Sequence, residues 1–373
     1  MSPSALETIA LTYNQATADV LSKQLLLNIA RAKNNEPIHF SGIANIAATL
    51  NFQANMGVTP PQTGANGLAL LPIFGVGAAD NPTISMVPMQ GEEFTRRMLT
   101  PLTEEQLILL LRQNLDVDML LRLVTLEFRT QQDGREEVYH NRPRNREDYA
   151  MFRRVVLHLA SIQERDALYV EPLEFEQHWT LPAGTPMPEG LQALEKGYSV
   201  RFDPVRKVYH LSKPVTGRVL IANYDPDHLP EEERVRLHTE AEQNAPNDLL
   251  VDIRPGYPGG EYPLHGRFRL RSFSNILYFI GRSLAAEPEF AVAKDPRTPA
   301  VARNPVAVLE ITETDHPPPH TDLMVAYGGH YYAVGQDLRY PWNRTAFRVL
   351  WQLFQMTMAE LPRGLVPGIA ITK

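Results

Sequence analysis

The chain has 373 residues, with 36 Lys+Arg against 43 Asp+Glu and a formal net charge of −7. Hydrophobic residues make up 43% and charged residues 21%, globular values that exclude disorder, collagen or coiled coil as descriptions of the whole. The acidic balance argues against a nucleic-acid binder, which shows a clustered basic excess. No run approaches the ~18 apolar residues of a spanning helix. With no cysteine, thiol nucleophiles, thiolate metal sites and disulfides are excluded.

In chain order, Ser4 and Glu7 have the spacing of a capping box. Behind them Leu6, Ile9, Tyr13, Ala16 and Val20 recur at helical spacing, predicting a long amphipathic helix over 5–33. Arg31 and Lys33 suit its C-terminal end, and Pro37 cannot continue it. The start, Met1-Ser2-Pro3-Ser4, lacks a basic stretch followed by an apolar one. No signal peptide is therefore expected, and the chain is cytoplasmic or a mature domain in which Met1 replaces a processed export sequence.

Residues 37–79 contain no Asp, Glu, Lys or Arg; at the chain's average, 43 residues would hold about nine. From Phe40 to Val58 every even position is apolar or Gly, and seven of the ten odd positions from His39 to Gly57 are polar. That is the period-2 signature of a strand. A turn-rich stretch, 59–67, and a second run through Phe74 and Val76 to Val87 complete a predicted β-hairpin over 38–88. Ile43, Ile46, Ala47 and Leu50 also fit a short helix, but the alternation favours strands. Phe40, Ile46, Leu50, Phe52, Met56, Phe74 and Val76 are its large apolar residues. They are the candidates for a contact with lipid or a second copy, since a spanning strand needs only about 9–11 alternating residues.

Helical segments follow at Gly91–Phe94, after the capping box of Thr103 and Gln106, through the leucine run to about Arg129, and over 148–164. Residues 131–146 read as a polar loop. A strand is predicted over 167–179 and a domain boundary in the Pro- and Gly-rich stretch 180–198. The two domains would be 1–180 and 195–373. The second half reads as short strands at 198–202, 208–211 and 218–223. A solvated acidic segment (225–242), a strand (267–271) and a helix (274–284) come next. The chain then runs through a Pro-rich stretch to a hairpin turned by Gly328-Gly329 and a final helix capped by Asn343, with Phe347, Leu350, Trp351, Phe354 and Met358 as its stripe. The fold class is α+β.

Three stretches resemble a family of uncharacterised bacterial cell-envelope lipoproteins. They are Gln24-Leu25-Leu26-Leu27-Asn28-Ile29-Ala30-Arg31, Asn81-Pro82-Thr83-Ile84-Ser85 with Gly91-Glu92-Glu93-Phe94-Thr95, and Gly329-His330-Tyr331-Tyr332 before the last helix. The resemblance implies export to the periplasmic side of the outer membrane and a lipid anchor on an N-terminal cysteine, whose place Met1 would take here. It implies no activity and no functional residues.

Two constellations could carry chemistry. Glu174, Glu176 and His178 alternate with Leu173, Phe175 and Trp179, which on a strand puts two carboxylates and an imidazole on one face, as in a metal-dependent hydrolase. Arg267, Arg269 and Arg271 alternate with Phe268 and Leu270 and could hold an anion or a glycan. His316 and His320 flank three prolines, whose extended geometry differs from a helical metal pair. Gly75-Val76-Gly77 lacks the context of a dinucleotide loop, and no phosphate-loop, nucleophile-elbow or zincin motif is present. No cofactor is therefore expected. The leading expectation is a non-enzymatic envelope protein that self-associates through residues 38–88.

Overall fold

A computed structural model describes residues 3–58, 72–132, 134–182, 196–319, 321, 323–337 and 340–358; for residues 3–6, 8, 9, 43–58, 72–86 and 132 it describes the backbone alone. The predicted turn at 59–67 and residues 183–195 of the expected boundary lie outside the described residues. The chain is α+β. It divides into two compact units, one of Met1–Leu21, His39–Phe94 and Met358–Lys373, the other of Ser22–Ile38 and Thr95–Thr357.

Helix α1 runs Pro3–Lys33. It begins at Pro3, whose fixed φ suits a first helical turn, so Ser4 sits inside the helix and not at a cap. The stripe expected to be buried is not the one that packs: Ala16 is exposed, and the buried residues are Leu25, Leu26, Asn28, Ile29, Ala30 and Ala32 near the C-terminal end. Six buried positions within eight residues wrap more than one face, so this end is a core helix and not a one-sided amphipathic one.

In the first unit, β1 (Phe40–Val58) and β2 (Pro72–Met89) pair antiparallel from Phe40↔Met89 to Val58↔Pro72. They form a two-stranded sheet of their own. The register slips between Ile43 and Asn45, which inserts Ala44 as a bulge. A bulge inverts side-chain parity, so the alternation expected to run unbroken from Phe40 to Val58 changes face at this point. Ile46, Leu50, Phe52 and Met56 share one face, and Phe40 belongs to the other.

The second unit is built on α3 (Glu104–Leu111), α4 (Val117–Val124), β3 (Thr125–Gln132), β4 (Arg135–His140), α5 (Arg146–Gln163), β5 (Tyr169–Pro182), β6 (Ser199–Asp203), β7 (Val208–Ala222), α6 (Glu231–Glu242), β8 (Asp248–Ile253), β9 (Leu264–Leu270) and α7 (Phe273–Ser283). Helix α2 (Glu92–Leu99) precedes it. The capping box at α3 forms in full, Thr103 Oγ1 accepting from Gln106 N and Gln106 Oε1 accepting from Thr103 N.

The strands make one seven-stranded sheet in the order β4-β3-β9-β8-β7-β5, with β6 beside β7. Only β7 and β8 are parallel, joined through α6, as a parallel pair requires a crossover. This sheet takes strands from both sides of residues 183–195, so the chain does not divide there. Sheet hydrogen bonds between β5 and β7 tie the two expected domains into one unit.

Four further differences have local causes. The leucine run ends as a helix at Val124, and Thr125 begins β3, which β4 joins as a hairpin; Arg135–His140, within the segment read as a polar loop over 131–146, is therefore a strand. Strand β8 is buried at all six positions, so it shows no alternation to read. The two short strands expected at 208–211 and 218–223 are one strand, β7. It carries a bulge where Gly217 and Arg218 face Leu173. A Cβ at Gly217 would come within 2.7 Å of His238 Nδ1 and 3.0 Å of Leu173 O, so the close approach admits only glycine. Asn343 lies inside the last helix, and its side-chain oxygen accepts from Glu310 N.

The core lies between the sheet and helix α5, with α4 packed against α5. Phe128 of β3 stacks tilted on Phe268 of β9 at 4.9 Å, and Phe152 of α5 meets Phe268 edge-on at 6.0 Å. The far side of β7 packs under α6 through Leu173, Leu220, Leu237 and Ala241. A three-stranded sheet, β10 (Ile311–Thr314), β12 (His330–Val334) and β11 (Met324–Tyr327), and α8 (Trp342–Thr357) complete the unit.

Candidate functional site

The hairpin places Met56 opposite Phe74, Ala54 opposite Val76, Phe52 opposite Ala78, Leu50 opposite Asp80 and Ile46 opposite Ile84. Directly opposed residues share a face, so these positions form one apolar face with a single charge, Asp80. The other face has Asn51, Gln53, Asn55 and Gly57 opposite Ala79, Gly77, Gly75 and Ile73. Nineteen residues of β1 extend about 60 Å at ~3.3 Å per residue. Among the described residues neither strand has a second neighbouring strand. The two edges differ: β1 holds no proline and no charge, whereas β2 carries Pro72, Pro82 and Pro88 with Asp80. Prolines and charges are what edge strands use to block further pairing, so β1 is the open edge.

Glu174, Glu176 and His178 do share a face of β5, but they face solvent. His178 Nε2 is 3.8 Å from Glu176 Oε2 and 3.5 Å from Glu231 Oε1, with His178 61% exposed. Glu174 pairs in register with Thr216 and joins neither. Among the described residues no group of three or more His, Asp or Glu side chains is placed to hold a metal. His320 lies outside the described residues.

The three arginines separate. Arg269 holds Asp248 with both ends of its guanidinium, Nε to Oδ1 at 2.8 Å and Nη2 to Oδ2 at 2.9 Å. Arg267 donates to Glu136 and lies 3.3 Å from Asp248. Arg129 on the neighbouring strand holds Glu127 at 2.6 Å. Three guanidiniums thus meet three carboxylates across β4, β3, β9 and β8, and the patch is neutral. Arg271 leaves the strand. It is buried at 2% exposure, donates to backbone carbonyls of Arg122, Leu123 and Asn141, and has its guanidinium 3.9 Å from the centre of the Phe279 ring.

A second polar cluster escaped the sequence reading. Asp252, at the end of β8, accepts from Tyr224 Oη at 2.5 Å, Arg254 Nε at 2.5 Å and His265 Nδ1 at 2.9 Å, while His265 Nε2 meets Glu240 at 2.6 Å. Burial alone would raise the Asp252 carboxyl. The His265 and Tyr224 hydrogen bonds and the Arg254 charge outweigh it and hold the carboxyl at about 2. His265 is raised, by its bond to Asp252 above all. Both ring nitrogens are engaged, so this is a charge-locked clamp and not a free base. Its signal, Tyr224, Asp252, Arg254 and His265 spread over 42 positions, is not a spacing any motif encodes.

Among the described residues no helix is long and apolar enough to cross a membrane. No protein-family model, no curated protein and no solved structure matches the chain.

Proposed function

We propose that the chain is a non-enzymatic assembly protein that self-associates through its hairpin, with β1 as the pairing edge and a second copy of the chain as the partner. The observation that carries this is the two-stranded ribbon itself: about 60 Å long, uncharged along β1, with no second neighbouring strand among the described residues. A lone two-stranded hairpin is marginal in water, and an unguarded edge is a template for strand addition. Pairing β1 with β1 of a second copy is isologous and closes as a two-fold. It makes a four-stranded sheet with the proline-bearing β2 strands outermost.

The apolar face would also suit a shared barrel in lipid. Asp80 opposite Leu50 counts against this, because a carboxylate on a lipid-facing position is costly. A location on the periplasmic side of the outer membrane is part of the proposal, supported by the lipoprotein-like stretches alone.

The test is light-scattering mass after size exclusion, in plain buffer and in mild detergent. The intact chain is expected at twice its 42.1 kDa in buffer, and the Asn51→Pro and Phe52→Lys variants at the monomer mass. A larger assembly seen in detergent alone would favour the barrel. A monomeric intact chain in both media would overturn self-association.

A further inference from the structure

The second unit contains a cavity of about 260 Å³ between the end of β4, the 141–143 loop and α7. Its floor is Arg271, beside Phe279; its rim carries Arg142 and Arg282, both exposed. None of the three guanidiniums has a carboxylate within ion-pairing distance among the described residues, in contrast to Arg267 and Arg269, which are matched. Arg271 spends three hydrogen bonds on backbone carbonyls, and a guanidinium has five N–H donors, so two remain. The carboxylate acting most strongly on it, Glu289, already holds Arg122, Tyr149 and Val308 N.

Burial with no carboxylate in contact, aided by the repulsion of Arg142, pushes Arg271 down to about 9. A buried cation in this state is a standing electrostatic cost that a bound anion would remove. Two carboxylates also line the cavity. Glu127 is engaged by Arg129 at 2.6 Å and by His140 at 3.0 Å, which leaves Glu287 alone to set against three guanidiniums. The surplus is two positive charges.

We propose that this cavity binds a dianionic phosphoryl group, with Arg271 as the buried anchor and Arg142 and Arg282 closing over it. Planar guanidiniums match phosphate oxygens with paired donors. The volume exceeds that of a phosphate, so either free phosphate or the phosphoryl end of a small monoester fits. The proposal is independent of hairpin assembly, because every residue it uses belongs to the second unit.

The experiment is isothermal titration of the full chain at low salt with inorganic phosphate, glycerol 3-phosphate and acetate. The variants are the Arg142→Ala/Arg282→Ala pair and, as a control, Arg206→Ala at an exposed turn remote in sequence. Saturable one-to-one binding of phosphate is expected, weakened about tenfold or more in the paired variant and unchanged in the control. Both rim residues are exposed, so the paired variant should fold, and circular dichroism checks that it does. Tighter binding of glycerol 3-phosphate than of phosphate assigns a monoester, and equal binding assigns the free ion. No saturable heat up to about 10 mM phosphate, equal affinity for acetate, or an unchanged affinity in the paired variant would overturn the proposal and leave Arg271 as a clamp on the α4 carbonyls.

Discussion

Asp252 and His265 make the second unit sensitive to pH at both ends of its range, with opposite signs. The Asp252 carboxyl is held at about 2 against an ordinary 3.8. Its contribution is therefore complete above about 4 and lost as the pH falls toward 2. His265 is raised above its ordinary 6.5, so its contribution is complete below 6.5 and lost as the pH rises through the folded value. Urea midpoints measured from pH 3 to pH 9 should fall off on both sides. His265→Gln should remove the alkaline loss and also shrink the acidic one, because it deletes a hydrogen bond that holds the Asp252 carboxyl down; a variant that keeps the alkaline loss would assign it elsewhere.

Arg122 makes the corresponding point inside the core. It is fully buried, bonded to Glu289 at 2.6 Å and to the carbonyls of Pro305 and Val306 at 2.9 and 2.6 Å. Burial lowers its affinity for a proton, but the Glu289 and Asp118 charges raise it further, so the ion is kept. Removing one partner of such a pair strands the other. Glu289→Ala should cost about 3–5 kcal/mol in urea unfolding. A loss below about 1 kcal/mol would mean that the clamp is not what orders 287–308.

Among the elements, α1 and α7 come together at Gly281. A Cβ there would lie 2.6 Å from Lys33 N and 2.8 Å from the Ala32 carbonyl carbon. These are backbone atoms and cannot swing aside. Gly281→Val should therefore push the helices apart and cost about 1–3 kcal/mol, read as a lowered thermal midpoint. A midpoint equal to that of the intact chain would mean that α1 yields at no cost.

Element type was legible where one face is wet. The even-odd alternation found β1, and the capping box at Thr103 found α3. It was not legible where a neighbour supplied the reason. β4 reads as polar because its partner β3 and helix α5 carry the apolar contacts. β8 has no alternation because both its faces are covered. The candidate site divides in the same way. The hairpin's pairing partner, β2, followed from its sequence pattern, but the bulge at Ala44 that moves Phe40 to the other face did not. The arginine triplet was legible as a pattern and not as a site. Its first two members, Arg267 and Arg269, are neutralised by carboxylates on β4 and β8, and Arg271 joins Arg142 and Arg282, which no spacing connects to it.

At the scale of the whole molecule, the second unit has its own core, and all three tryptophans, Trp179, Trp342 and Trp351, lie within it. Tryptophan fluorescence, excited selectively over tyrosine, therefore reports on this unit alone. Gly42 and Val87 are register partners, so a two-residue Asn-Gly turn can replace residues 43–86 and close a shortened hairpin. That variant should keep the fluorescence unfolding curve of the intact chain while losing its assembly mass. A shifted curve would show that the second unit draws stability from the hairpin.

The sequence by itself determined the α+β class, the long N-terminal helix, the uncharged hairpin and most strand and helix positions, because period, caps and charge avoidance are local properties. The tertiary structure decided that the two expected domains share one sheet, that the even-odd alternation of β1 breaks at a bulge, and which arginines are matched and which are left facing a cavity. Those outcomes depend on pairing between residues that are not neighbours in the chain, from Arg269 with Asp248 and Ile43 with Met86 to Thr125 with Leu270. The free energy of a buried charge is set by what surrounds it in space and not by what adjoins it in the chain.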